Sequence, residues 1–261
     1  GYVNQPVIEV RGPFTPTGFP PQPTQPGLVI AGASGGSVGR GLALTSFTVA
    51  VLLSSDGNTV ERNWMGIGFG GVGAFNDTGI QVNGNANTIG RGNVISGNQL
   101  NGVSIAGSDN IVVGNLVGLN PGGTSAAGNR QDGVGLQAGA DRNRIGGTVA
   151  ADRNVISGNV DAGIDAQSAT GTTILGNYIG TDVTGTVGVG NATGIRLLDS
   201  RSTIGGTALG AGNVVSGNVG AGTGIAVDNS GGTVIQNNLI GTDVTGTVAL
   251  GNGGAGLSIQ N

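Results

Sequence analysis

Few residues in this chain can do chemistry. There is no His, Lys or Cys; ten Arg carry all the positive charge, and two Glu (Glu9, Glu61) with twelve Asp carry the negative. Without Cys, disulfides, zinc–thiolate sites and thiol nucleophiles are excluded together. Carboxylates and guanidinium groups remain. Asp161 and Asp165 lie four residues apart in VDAGIDA, and two carboxyls ~5–9.5 Å apart across a groove can hydrolyse a glycosidic bond. Arg196 stands one repeat beyond Asp165 at the equivalent position, where an Arg base beside an Asp-bound calcium would suit a lyase. Asp182 and Asp243 sit in the same loop, IGTDVTGT at 179–186 and 240–247, where a carboxylate and backbone carbonyls could hold calcium.

Each of these residues has a plainer role. Asp161 reads as a turn residue and Asp165 as a solvated strand position, its charge met by Arg196 in an exposed ion pair worth at most ~1 kcal/mol. One carboxylate per TDVTGT loop is a poor metal cage, and the same Asp would satisfy the loop backbone as an Asx-turn, with Thr hydroxyls helping. No catalytic residue, metal ligand or cofactor is therefore assigned. Calcium is the one ion the loops bring into question, and the four residues Asp165, Arg196, Asp182 and Asp243 are the weak ligand candidates.

Those residues must be positioned by something that repeats. IGTDVTGTVGVGN (179–191) and IGTDVTGTVALGN (240–252) share eleven of thirteen residues at a distance of 61. Three shorter signatures recur in fixed order. Gly with an alternating apolar pair starts at 79, 102, 133, 163, 194, 224 and 256, mostly 30–32 residues apart. A polar residue with Ile or Val follows (TIG at 88–90 through TVIQ at 233–236), then Asn with an apolar pair (NVISGN at 93–98 through NLIG at 238–241). Each copy is too short for a helix and is bounded by Gly, Asn or Ser, so each reads as a strand. Three strands per ~30 residues describe one turn of a parallel solenoid, stacked at the ~4.8 Å strand spacing.

Coils alternate between two loop plans. One carries a long connection between its second and third strands, as at 205–213; the next carries its excursion after the third strand, as at 179–191. Two coils make the 61-residue period. Columns of aliphatic residues are expected inside: Ile174, Ile204 and Val234 in one, Ile164, Ile195 and Ile225 in another. Asn98, Asn159 and Asn218 mark one corner and Asn115, Asn177 and Asn238 another, where φ > 0 is tolerated by Gly and Asn and stacked amides can bond along the axis.

The pattern resembles bacterial right-handed parallel β-helix proteins of the pectate-lyase-like superfamily, nearest to surface-protein repeats of the form GNxIGTDxTGTxxxGN. The likeness is strong over 79–261 and loose over 1–78, through PVIEV (6–10), GLVIAG (27–32), GLAL (41–44) and NTVERNWMG (58–66). It implies an all-β fold: a single-stranded, right-handed parallel β-helix of about eight coils, three strands each, forming one domain over 1–261. Enzymes and inert stalks share such a scaffold. The G-H-G, R-I-K and D-P-H-D motifs of superfamily enzymes need His or Lys, which the chain lacks.

A net charge of -4 with no basic cluster argues against nucleic acid and anionic lipid as partners, and no apolar run is long enough for membrane insertion. The expected function is a non-enzymatic, extracellular or cell-surface structural protein: a segment of a stalk, fibre or adhesin-like filament. The alternative is a carbohydrate-binding or polysaccharide-processing β-helix with a surface glycan as partner. The first and last residues read as strands without caps, which fits either a piece of a longer protein or ends that associate head to tail. The segment 11–27 holds six of the eight Pro; Phe14 and Phe19 within it could cover the first coil or dock on another subunit. Sequons stand at Asn76 and Asn191.

Overall fold

The computed structural model describes residues 5–13, 23–32, 35–69, 74–220 and 222–260. Among these, 26 strands form three parallel sheets. The first holds nine strands, from Leu28–Ile30 to Leu257–Gln260; the second holds eight, from Val38–Arg40 to Val234–Gln236; the third holds nine, from Ile8–Arg11 to Leu239–Ile240. The chain visits the sheets in rotation, and neighbours within a sheet are one coil apart. Eight complete coils run from Leu28 to Ile240, with one strand leading and one trailing. This is a parallel β-helix with three strands per coil.

Register is set by the alternation of side chains. In the first sheet Val51, Ile80, Val103, Val134, Ile164, Ile195 and Ile225 form one continuous row. All seven are fully buried. A one-residue slip would turn the whole row outward, and each such burial contributes roughly 1.5–3 kcal/mol. The row from the second sheet corrects one expectation. Ile174 pairs with Ile204, but Ile204 pairs with Ile235, while Val234 lies beside Thr203 and is exposed. The aligned pattern is TTI, STI, TVI, so Val234 replaces an outward Thr.

Two strands escaped the sequence reading. Val38–Arg40 and Val49–Leu53 belong to the second and first sheets, yet neither carries its sheet's signature. A 3-10 turn at Ala150–Asp152 interrupts the long connection 146–154, where no helical turn was expected. Phe14, Phe19 and the middle of the Pro-rich segment lie outside the described residues. The segment's two ends dock on Phe47: a Cβ added at Gly12 or at Gly27 would come within 2.9 Å of its ring.

The corners work differently from expectation. None of the six expected corner Asn residues has positive φ; the residue before each takes it. Gly97, Gly158 and Gly217 do so at one corner, Gly114, Gly176 and Asn237 at the other. The Asn side chains serve as axial ladders instead. Asn76, Asn98, Asn129, Asn159, Asn191 and Asn218 each pass an amide N–H to the next Oδ1, ending on Asn252, at 2.8–3.1 Å. A second ladder runs Asn63, Asn93, Asn115, Asn154, Asn177, Asn213 and Asn238. The sequon residues Asn76 and Asn191 are fully buried rungs of the first ladder, so neither is open to glycosylation in the folded chain.

The third sheet is buried on both faces. Its inward row includes Met65, Ile95, Val117, Ile156 and Ile179. Its outward row, Trp64, Val94, Leu116, Val155, Tyr178 and Val214, forms a second core. The TDVTGT loops roof that core. Each is a small hairpin, bridged antiparallel at Thr181–Gly188 and Thr242–Ala249, as is the divergent loop at the same place two coils earlier, at Leu119–Ala126, and Val183, Val189 and Val244 pack down from the roof. A hairpin has two arms, so it is two strand layers thick. One hairpin every second coil therefore fills the roof without gaps: Val183 N–H donates to Gly123 O and Val244 N–H to Gly185 O, both at 3.0 Å.

Candidate functional site

The outward row of the first sheet reads Gln81, Ser104, Gly135, Asp165, Arg196, Ala226, Ser258. Unlike the inward rows it changes residue type from coil to coil, and it carries a guanidinium shared by three carboxylates. Asp165 and Arg196 are directly paired across adjacent strands. Arg196 Nε donates to Asp165 Oδ1 at 2.8 Å, and its two terminal nitrogens fork onto the Asp161 carboxylate at 3.1 and 3.2 Å. Asp132, from the preceding coil, lies 3.6 Å from Arg196 Nη2.

The expected exposed ion pair is thus corrected on two points. Asp165 is buried, its side chain only 4% exposed, because Arg196 and Gln167 cover it; Gln167 Nε2 donates to Asp165 Oδ2 at 2.6 Å. And three carboxylates, not one, share the guanidinium. Asp161 is the solvated member, its side chain 46% exposed. Hydrogen bonding to Asp165 pushes the Arg196 pKa further up. Burial pushes the Asp132 carboxyl up to about 6; the Asp165 charge adds to this, while the Ala162 N–H, which donates to Asp132 Oδ1 at 3.1 Å, works against it. The proposed carboxylate pair Asp161 and Asp165 is brought together, but around a cation that engages both. The arrangement clasps three coils.

Asp132 was missed. The signal was present: it immediately precedes the signature Gly of its coil, and Asp161 stands close to the same place one coil on.

Asp182 and Asp243 lie in the roof over the third sheet, on a different face from this cluster. Asp182 Oδ1 accepts from the N–H groups of Thr184, Thr186 and Val187 at 3.2–3.3 Å and from the Thr184 hydroxyl at 2.7 Å. Asp243 repeats the pattern with Thr245 and Val248. The Thr245 hydroxyl bond, with the backbone donors, holds the Asp243 carboxyl below the usual range. These bonds fold the loop in the way an Asx-turn does. Among the described residues no three acidic side chains gather in a manner that would hold a metal ion.

No family model matches the chain, and no curated protein matches it. Among solved structures, the crystal structure of the Dettilon tailspike protein (gp208) is similar, with a TM-score of 0.53 at 18% sequence identity. The likeness covers 86% of this chain and 41% of the tailspike chain, so the chain spans about two fifths of that protein's length. At this identity the likeness concerns the fold: both are β-helices.

Proposed function

We propose that this chain is a non-enzymatic structural segment of an extracellular stalk or fibre at a cell surface. One observation carries the reading: the repeated polar residues are turned to scaffold partners. Fourteen Asn form two axial ladders, and the two repeated loop Asp fold the roof hairpins. Repetition here serves stacking rather than recognition. The resemblance to surface-protein repeats supports the same reading, and the tailspike likeness supports the β-helix on which it rests.

The proposed partner is a second copy, stacked end to end. The edge strands offer it exposed apolar side chains: Val7, Ile8 and Val10 at one end, Leu257 and Ile259 at the other. Negative-stain electron microscopy with sedimentation velocity tests the proposal. Rods that lengthen with concentration, their coil spacing continuous across copies, are the expected outcome. A compact monomer that depolymerises a polysaccharide would overturn both the stacking and the non-enzymatic role.

A further inference from the structure

Beside the charge cluster, on the same outward face, lies a cleft of about 250 Å³. Gln81, Leu100, Asn101, Ser104, Gln131 and Gln137 line it. Asn101 closes one side of it: with no Cβ at Gly135 its amide fits over that backbone, where a Cβ would lie 2.6 Å from Asn101 Nδ2 and 3.8 Å from Asp132 Oδ2. From the cleft we infer a binding niche for a neutral sugar ring, a function beyond the structural role and independent of it.

The hydrogen-bonding inventory selects the ligand class. Gln137 Nε2 donates to Ser104 Oγ at 2.9 Å, which leaves the Ser104 proton and the Gln137 carbonyl oxygen with no partner among the described residues. Gln81 Nε2 donates to Asn83 Oδ1 at 3.1 Å and likewise keeps its carbonyl oxygen unengaged. Asn101 Oδ1 accepts the Asp132 N–H at 3.1 Å, so its amide nitrogen is the donor turned to the space over Gly135. Donors and acceptors therefore alternate within one cleft. A metal ion would require acceptors alone and an inorganic anion donors alone. A sugar hydroxyl does both. Leu100, 42% exposed, supplies an apolar patch for the C–H face of a ring.

Charge excludes the acidic sugars. The cleft has no cationic side chain, and the neighbouring guanidinium, Arg196, is already shared by three carboxylates. A uronate would face Asp132 without a counter-charge. Few contacts and an open cleft give weak binding per ring.

Saturation-transfer NMR on the intact chain, with methyl glucoside, methyl galactoside, methyl mannoside and methyl galacturonate as probes, is the test. At least one neutral glycoside should bind with a millimolar Kd, and galacturonate should not. The Gln81→Leu/Gln137→Leu double variant should weaken binding at least about tenfold with an unchanged thermal midpoint, because both side chains are at the surface. Asn101→Asp gives an independent check: it keeps the acceptor for the Asp132 N–H, deletes the donor, and should also weaken binding. Silence from all three neutral probes, equal binding of galacturonate, or unaltered affinity in both variants would overturn the niche. None of those results bears on rod formation, which microscopy reads separately.

Discussion

The outward faces of the first and third sheets start from the same scaffold and end differently. On the third face every coil places an aliphatic or aromatic residue outward, from Trp64 to Val214, and a repeating hairpin covers it. On the first face the outward row changes at each coil, Gln81, Ser104, Gly135, Asp165, Arg196, and no repeating hairpin among the described residues covers it. In a solenoid the residues that repeat satisfy the stack, since each must meet its own copy above and below. The residues that break the repeat are relieved of that duty, and recognition is to be sought among them.

The largest test of this contrast removes the cation of the first face. Arg196→Leu leaves Asp165 and Asp132 buried without a counter-charge and should cost about 3 kcal/mol at neutral pH, measured by guanidinium unfolding. A loss below about 1 kcal/mol would mean that the carboxylates are solvated and the clasp is decorative. Next comes a rung of the scaffold. Asn159→Ala deprives Asn129 of its acceptor and Asn191 of its donor at a buried site, and should cost about 2 kcal/mol in the same assay.

A pH profile sharpens the comparison further. Asp132 keeps its proton to about pH 6 when folded, against an ordinary value of 3.8. Between those values the folded chain holds a proton that the unfolded chain has released, so stability should fall as pH rises through the window and remain lower above it. The effect is on the order of 1 kcal/mol after solvent screening, and Asp132→Asn should flatten the profile. Asp243 acts in the opposite sense, its carboxyl held low; its contribution is present above about pH 4 and lost on further acidification, and Asp132→Asn should leave it untouched. The smallest effect belongs to the roof: Asp182→Ala removes one loop pin and should lower stability by about 0.5–1 kcal/mol, with no change in the first face's sugar binding.

Much of the fold was legible because the solenoid writes each strand several times. The order of the three signatures gives the order of the three sheets, and the 79–261 strands fall where their motifs stand. Val49–Leu53 was hidden because Ala50 stands where the next coil has its signature Gly79. The roof's role was also missed, although the third signature carries two adjacent apolar residues, as in NVI and NYI, and adjacent apolar residues in a strand mean burial on both faces. The candidate site was legible only in part. Asp165 and Arg196 could be aligned by coil counting, but burial of Asp165 depends on Gln167 folding back over it, and the cleft gathers non-repeating side chains from adjacent coils. Repeats disclose what recurs; a site built from exceptions has to be seen in three dimensions.

The two-layer hairpin has a further bearing on how such a chain can change length. Removing a single thirty-residue winding would leave one arm of a hairpin with no neighbour, and would bring two loops of the same plan against each other. Viable insertions and deletions should therefore come in steps of 61 residues, the distance at which IGTDVTGTV recurs. The unit of inheritance in this molecule is the pair of turns.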